Sequence, residues 1–165
     1  MRKLTFLLLA FTMMSQLGLA QEKQSIKREA FSLQYPEGWT IDTEDEDYDP
    51  DALFSLDSPD EENMVMFIIF DMAVDADELM QEQINAFTAE LIKKPTVTKF
   101  DTWGKFKGKG TMLSGKLMGV FKGAVRIFVY SEEERTMLVV EQYYDKAIGK
   151  LKKDYDLIAN SFKFK

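Results

Sequence analysis

Apolar and polar residues alternate over Phe31-Ser32-Leu33-Gln34-Tyr35, and Pro36-Glu37-Gly38 then turns the chain into Trp39-Thr40-Ile41. This pattern predicts a strand, a tight turn and a second short strand. Ala52 to Asp57 alternates again and ends at a Ser58-Pro59-Asp60 turn. Met64 to Phe70 is apolar at every position and too short for a helix between such polar flanks, so it predicts a central strand. Successive strand residues point to opposite faces, so such a strand must be covered on both sides.

The covering elements are legible. Asp75-Ala76-Asp77-Glu78 has the acid-x-x-Glu form of a helix start. Ala76, Leu79, Met80, Ile84, Phe87 and Leu91 then recur at helical spacing up to Lys93-Lys94, where cations suit a helix C-terminus and Pro95 supplies a stop. A second helix is predicted from Lys146 to Asn160, with Ile148, Leu151, Tyr155 and Ile158 in one stripe. Between the helices lies a meander: Thr96 to Trp103, Lys105 to Leu117, Val120 to Ser131 and Arg135 to Tyr144. Its links are too short for parallel crossovers. The expected fold class is α+β: an antiparallel sheet of about six strands with helices on both faces, an α/β/α sandwich.

Residues 1–20 stand apart. Arg2 and Lys3 precede an apolar run from Leu4 to Phe11, and Gly18-Leu19-Ala20 offers the small residues a signal peptidase cuts after. Thr12, Ser15 and Gln16 interrupt a run already short of the ~20 apolar residues that span a bilayer. The expectation is a signal peptide over 1–20, cleaved near Ala20, and one globular domain over 21–165. The product would be periplasmic or secreted, with no stable membrane insertion.

Composition restricts the chemistry. The chain has no cysteine, which excludes a disulfide, a thiolate nucleophile and a lipid anchor on an N-terminal cysteine. It has no histidine, which excludes Ser-His-Asp and Cys-His catalysis and histidine-bearing zinc sites. No cofactor is implied.

Charge is segregated along the chain. The formal net charge is −7, and loss of Arg2 and Lys3 with the leader makes it −9. Eleven acids and no base lie between Asp42 and Glu62, whereas Lys93 to Lys122 holds eight lysines and one acid, Asp101. A net-negative exported protein without a groove-reading helix is a poor nucleic-acid partner. Within the acidic segment, Asp45-x-Asp47-x-Asp49 has the first three ligand positions of a calcium loop. Pro50 stands where that loop needs glycine and Leu56 where it needs glutamate, so the motif fails. A looser calcium or manganese site in this segment is one alternative reading, and a small carboxylate-dependent hydrolase is another, although no spacing singles out a carboxylate pair. Lys105-Phe106-Lys107-Gly108-Lys109-Gly110-Thr111 lacks phosphate-loop spacing and falls in a predicted strand. There Lys105, Lys107 and Lys109 would share one face, either protecting a sheet edge or meeting an anionic envelope partner.

The stretch Phe31-Ser32-Leu33-Gln34-Tyr35-Pro36-Glu37-Gly38-Trp39, the central helix, the long meander and the closing Ile158-Ala159-Asn160-Ser161-Phe162 together resemble the PsbP-like fold family, which includes DcrB-like exported bacterial proteins. The resemblance covers nearly all of 21–165. It implies a non-enzymatic binding or assembly module of the cell envelope, and it supplies no catalytic, cofactor or metal residue.

Overall fold

The computed structural model describes residues 23–165, so the expected signal peptide and its cleavage point lie outside the described residues. The strands are β1 (Lys23–Lys27), β2 (Phe31–Pro36), β3 (Thr40–Asp42), β4 (Leu53–Asp57), β5 (Met64–Phe70), β6 (Thr96–Trp103), β7 (Phe106–Leu117), β8 (Phe121–Glu132), β9 (Arg135–Tyr144) and β10 (Lys163–Phe164). The helices are α1 (Ala76–Glu90) and α2 (Asp145–Ser161). The architecture is mixed α+β. A seven-stranded sheet runs in the order β3-β4-β5-β9-β8-β7-β6, and a three-stranded sheet runs β1-β2-β10, every pairing antiparallel. The sheet is thus larger than the six strands expected, and the polar Lys23–Lys27 stretch forms a strand that the hydrophobic pattern did not announce.

Strand parity divides the core in two. Val65, Phe67 and Ile69 of β5 join Phe54, Leu56, Met137, Val139, Phe128, the small sheet and α2 residues Tyr155, Ile158 and Ala159 in one apolar cluster. Met66, Ile68 and Phe70 of the same strand pack against the other cluster, which contains Leu138, Val140, Val125, Ile127 and Leu113 with Leu79 and Met80 of α1. The uninterrupted apolar run at Met64 to Phe70 is explained by this two-sided packing.

Aromatic rings join the two sheets. Phe31 of β2 stacks on Phe54 of β4 at 5.3 Å, Phe54 on Phe67 at 4.8 Å, and Phe67 on Phe162 at 5.5 Å. Phe162 follows α2, and the chain then pairs with β2 through β10, so the terminal Ser161-Phe162-Lys163-Phe164 stretch docks on the small sheet with Phe162 in the core and Phe164 packed against it. The turn at Pro36 to Gly38 carries the chain from the small sheet into the large one, with Gly38 at φ +85°. Trp39 sits at that joint, 1% exposed, with its ring edge against Tyr155 at 5.6 Å. Its indole N–H donates to Asp154 Oδ2 of α2 at 3.1 Å, which gives the buried indole the polar partner it needs.

Helix α1 begins as the sequence indicates, with Asp75 Oδ1 accepting from the backbone N–H groups of Asp77 and Glu78. Its end differs. The helix stops at Glu90, before Lys93-Lys94 and Pro95, because the chain there pairs with β7: Ile92 bridges Leu117, and Met118 N donates to Leu91 O at 2.7 Å.

One charge is buried in the first cluster's face of the sheet. Glu141 of β9 is 2% exposed, accepts from Trp103 Nε1 at 2.7 Å, and pairs with Arg126 Nη1 at 2.5 Å. Arg126 stands directly opposite on β8, and its guanidinium lies 4.6 Å from the Phe100 ring centre. Burial raises the Glu141 pKa, and the nearby Arg126 cation and the two hydrogen bonds offset this only in part.

Two predictions follow from this packing. Trp39→Ala should cost about 3–5 kcal/mol, through lost burial and a cavity, whereas Trp39→Phe should cost about 1–2 kcal/mol, chiefly the hydrogen bond. Urea denaturation midpoints check both, and an unchanged midpoint for the alanine variant would show that the indole is not a core plug. For Glu141, a raised folded pKa means that the native state binds the proton more tightly than the unfolded chain. Its contribution is full below the ordinary glutamate value of 4.5 and is lost as pH rises through the folded value. The stability of the parent relative to Glu141→Gln should therefore fall with rising pH above about 4.5, as read by thermal melts across pH.

Candidate functional site

The expected lysine face is built on β7, which is interior to the sheet because it pairs with both β6 and β8. Lys107 and Lys109 are exposed on one side of this strand, while Phe106 and Gly110 face the other. Lys105 falls in the two-residue turn with Gly104 instead of in the strand, because Trp103 pairs with Phe106 and closes the hairpin there. Its Nζ lies 5.4 Å from the Phe106 ring centre. Edge protection therefore does not explain Lys107 and Lys109, since the edge strand is β6.

The glycines between the lysines serve packing. A Cβ at Gly110 would lie 2.4 Å from the Phe100 ring, so the absent side chain lets that ring lie over the strand and stack on Phe128 at 6.1 Å. This accounts for the Lys-Gly-Lys-Gly pattern without a phosphate loop.

On the lysine side the strand borders a cleft of about 280 Å³, lined among others by Asp77, Met80, Lys99, Lys109 and Thr111. The structure brings Lys99 to this cleft, a residue the sequence did not single out. Register explains it: Lys99 on β6 pairs with Thr111 on β7, and its Nζ donates to Thr111 Oγ1 at 2.9 Å. Lys109 Nζ reaches Asp77 Oδ2 at 2.5 Å, tying β7 to the first turn of α1. Both partners are more than half exposed, and such surface pairs are worth under about 1 kcal/mol. The cleft presents the exposed ammonium groups of Lys99 and Lys109, the latter already paired with Asp77, over a buried Thr111, and ammonium groups of this kind suit carboxylate or phosphate oxygens.

The acidic segment lies far from these lysines. Asp42 ends β3 and Asp57 ends β4, at the opposite edge of the large sheet; β4 and β7 are four strand spacings apart, about 19 Å. The segment does not fold over the lysines. Its carboxylates instead close local turns: Asp42 Oδ1 accepts from Glu44 N, Asp45 Oδ1 from Asp47 N and Asp49 Oδ1 from Asp51 N, each at 2.9 Å. Asp57 is raised above the usual carboxylate range by burial first and then by Asp42 and Glu61. Among the described residues no group of three or more carboxylates is arranged to hold a metal ion.

A second cleft, of about 220 Å³, opens over the buried pair and is lined by Thr102, Gly104, Arg126, Glu141, Tyr155 and Asp156, among others. Both Glu141 oxygens have partners, as given above. Asp156 is held by Lys152 at 2.6 Å. Tyr155 donates to the Gln142 carbonyl at 2.9 Å, and burial raises its pKa far above the ordinary phenol value. This arrangement locks β8, β9 and β6 together. Sequence reasoning did not find it, because Arg126, Glu141 and Trp103 meet only through strand register.

No protein-family model matches the chain, and no curated protein sequence does. Solved structures do. The solution structure of PsbP (CyanoP) from Synechocystis matches with a TM-score of 0.53 at 12% identity, covering 91% of this chain and 96% of that one. LpqN of Mycobacterium tuberculosis, described as involved in cell envelope biogenesis, matches with a TM-score of 0.52 at 12% identity, covering 88% and 91%. A protein from Bacteroides thetaiotaomicron gives a TM-score of 0.52 at 12% identity; 88% of this chain is covered but only 49% of that one. At this identity the likeness is one of fold, and it agrees with the resemblance carried by Phe31 to Trp39, the meander and the closing helix. The chain has a PsbP-like fold.

Proposed function

We propose that this protein is an exported, non-enzymatic binding or assembly module of the bacterial cell envelope. Its working surface is the lysine side of β7, where Lys107 and Lys109, with Lys105 at the adjoining turn and Lys99 across the cleft, receive an anionic partner. The observation that carries this reading is the sheet order, which puts the acidic segment at one edge and these lysines toward the other. Their field is left uncancelled by the Asp42 to Glu62 acids. The envelope role of a protein of similar fold, LpqN, supports the setting. We read the two core clusters as the two sides of an α/β/α sandwich, with α1 covering one face and α2 and the small sheet the other. In that frame the binding face lies beside the start of α1, on a rigid sheet.

Two measurements test the proposal. Intact mass of protein recovered from the producing cell should correspond to a chain beginning at Gln21, and a mass retaining Met1 to Ala20 would overturn the export reading. Changing Lys105, Lys107 and Lys109 to Glu should slow association with the captured envelope partner about tenfold or more and flatten its salt dependence, while the exposed positions leave the melting temperature nearly unchanged. Capture that survives the triple reversal would place the function elsewhere.

A further inference from the structure

The far end of the β7–β8 hairpin carries a second, differently built surface. The strands close at the Leu117 and Phe121 pair through Met118-Gly119-Val120. Met118 and Gly119 both have positive φ, +51° and +75°. This tight turn projects its side chains outward: Met118 is 70% exposed, Val120 67% and Phe121 52%. Three large apolar side chains thus stand together on a protruding tip, and exposed apolar clusters on soluble domains mark interaction sites. Phe121 is braced by an edge-on contact with Tyr144 at 5.6 Å.

Lysines surround the tip. Lys116 and Lys122 sit directly opposite each other across the hairpin, a like-charge pairing that is unfavourable in isolation. The bridge from Ile92 to Leu117 brings Lys93 and Lys94 beside the same turn, from the α1 side. All four are exposed, and none takes part in an ion pair among the described residues. Glu90, at the end of α1, is the acid closest in sequence to this group.

From this geometry we infer that the Met118-Gly119-Val120-Phe121 tip is a membrane-docking element for a bilayer rich in anionic headgroups. The apolar side chains enter the boundary between headgroups and acyl chains, and Lys93, Lys94, Lys116 and Lys122 lie at headgroup level against the negative surface. Charge complementarity selects this occupant over an apolar protein pocket, which would have to bury four unpaired ammonium groups. It also favours one orientation, because among the described residues only at this tip do exposed lysines surround exposed apolar side chains, so the charges and the apolar groups meet the bilayer together. The surface is separate from the proposed partner face, which lies at the opposite end of β7, and so the two readings stand or fall independently.

Co-sedimentation with vesicles tests the inference. The protein as recovered from its producing cell is compared with Val120→Asp and with the double variant Lys116→Glu and Lys122→Glu, all in the same form. The parent should partition at least about tenfold more strongly onto phosphatidylcholine vesicles containing phosphatidylglycerol than onto phosphatidylcholine alone. Val120→Asp should reduce that binding about tenfold, and the lysine double variant should abolish the preference for phosphatidylglycerol. Unchanged melting temperatures will confirm that the exposed substitutions left the fold intact. Equal binding to both vesicles, no binding, or variants that bind like the parent would overturn the inference. So would a concentration-dependent dimer that is lost on Val120→Asp in the absence of vesicle binding, which would assign the tip to contacts between copies.

Discussion

The stack of Phe31, Phe54, Phe67 and Phe162 is the contact on which the rest of the molecule depends. These four rings come from the small sheet, two strands of the large sheet and the residue after α2, and all four are 2% exposed or less. Buried aromatics carry large apolar area, and ring stacking adds a geometric preference that plain burial lacks. Without the stack, a two-residue β10 and the largely exposed β1 would have little to hold them to the core. Trp39 and Trp103 extend the same cluster to the sheet joint and to the start of the lysine turn. The position of that turn is therefore set from within the core.

The two sides of the large sheet are built differently. The cluster that includes Leu79 and Met80 is aliphatic, with Leu, Ile and Val from β7, β8 and β9. The cluster that includes Tyr155 and Ile158 is aromatic, and beside it the buried Glu141 pairs with the half-buried Arg126. A buried pair is weak evidence for stability, because desolvation consumes much of what the Coulomb attraction supplies. Glu141 nevertheless has a definite geometric consequence: its two oxygens hold Trp103 and Arg126 in a single register across β6, β8 and β9. The surface follows a simpler rule. Acids gather at the β3 and β4 edge and lysines at the β6 and β7 side, giving the molecule a charge axis across the strands.

Local patterns were legible wherever the physical cause was local. Strands β2, β4 to β9 and both helices fall where alternation, turn residues and helical spacing put them, because those signals depend on near neighbours. The expectations that needed distant contacts were less complete. The end of α1 moved from Lys94 to Glu90 because Leu91 and Ile92 pair with β7, a partner 25 residues away in sequence. Lys105 moved into a turn because Trp103 and Phe106 pair. Lys99 entered the candidate cleft through register with Thr111, which no motif in the sequence expresses.

The sequence by itself determined the mixed α+β class, the two-sided burial of Met64 to Phe70, the antiparallel meander and the division of charge between two segments. These follow from side-chain periodicity and composition, which are properties of short windows. Tertiary structure alone decided that the strands divide into two sheets, that Glu141 meets Arg126 and Trp103, and that the acidic segment stays away from the lysines. It also decided that Lys93 and Lys94 stand beside the Met118 to Phe121 tip. The physical reason is common to all of these: they depend on which strands become neighbours. Strand order is selected by burial of the whole apolar surface at once, a global quantity that no local run of residues specifies.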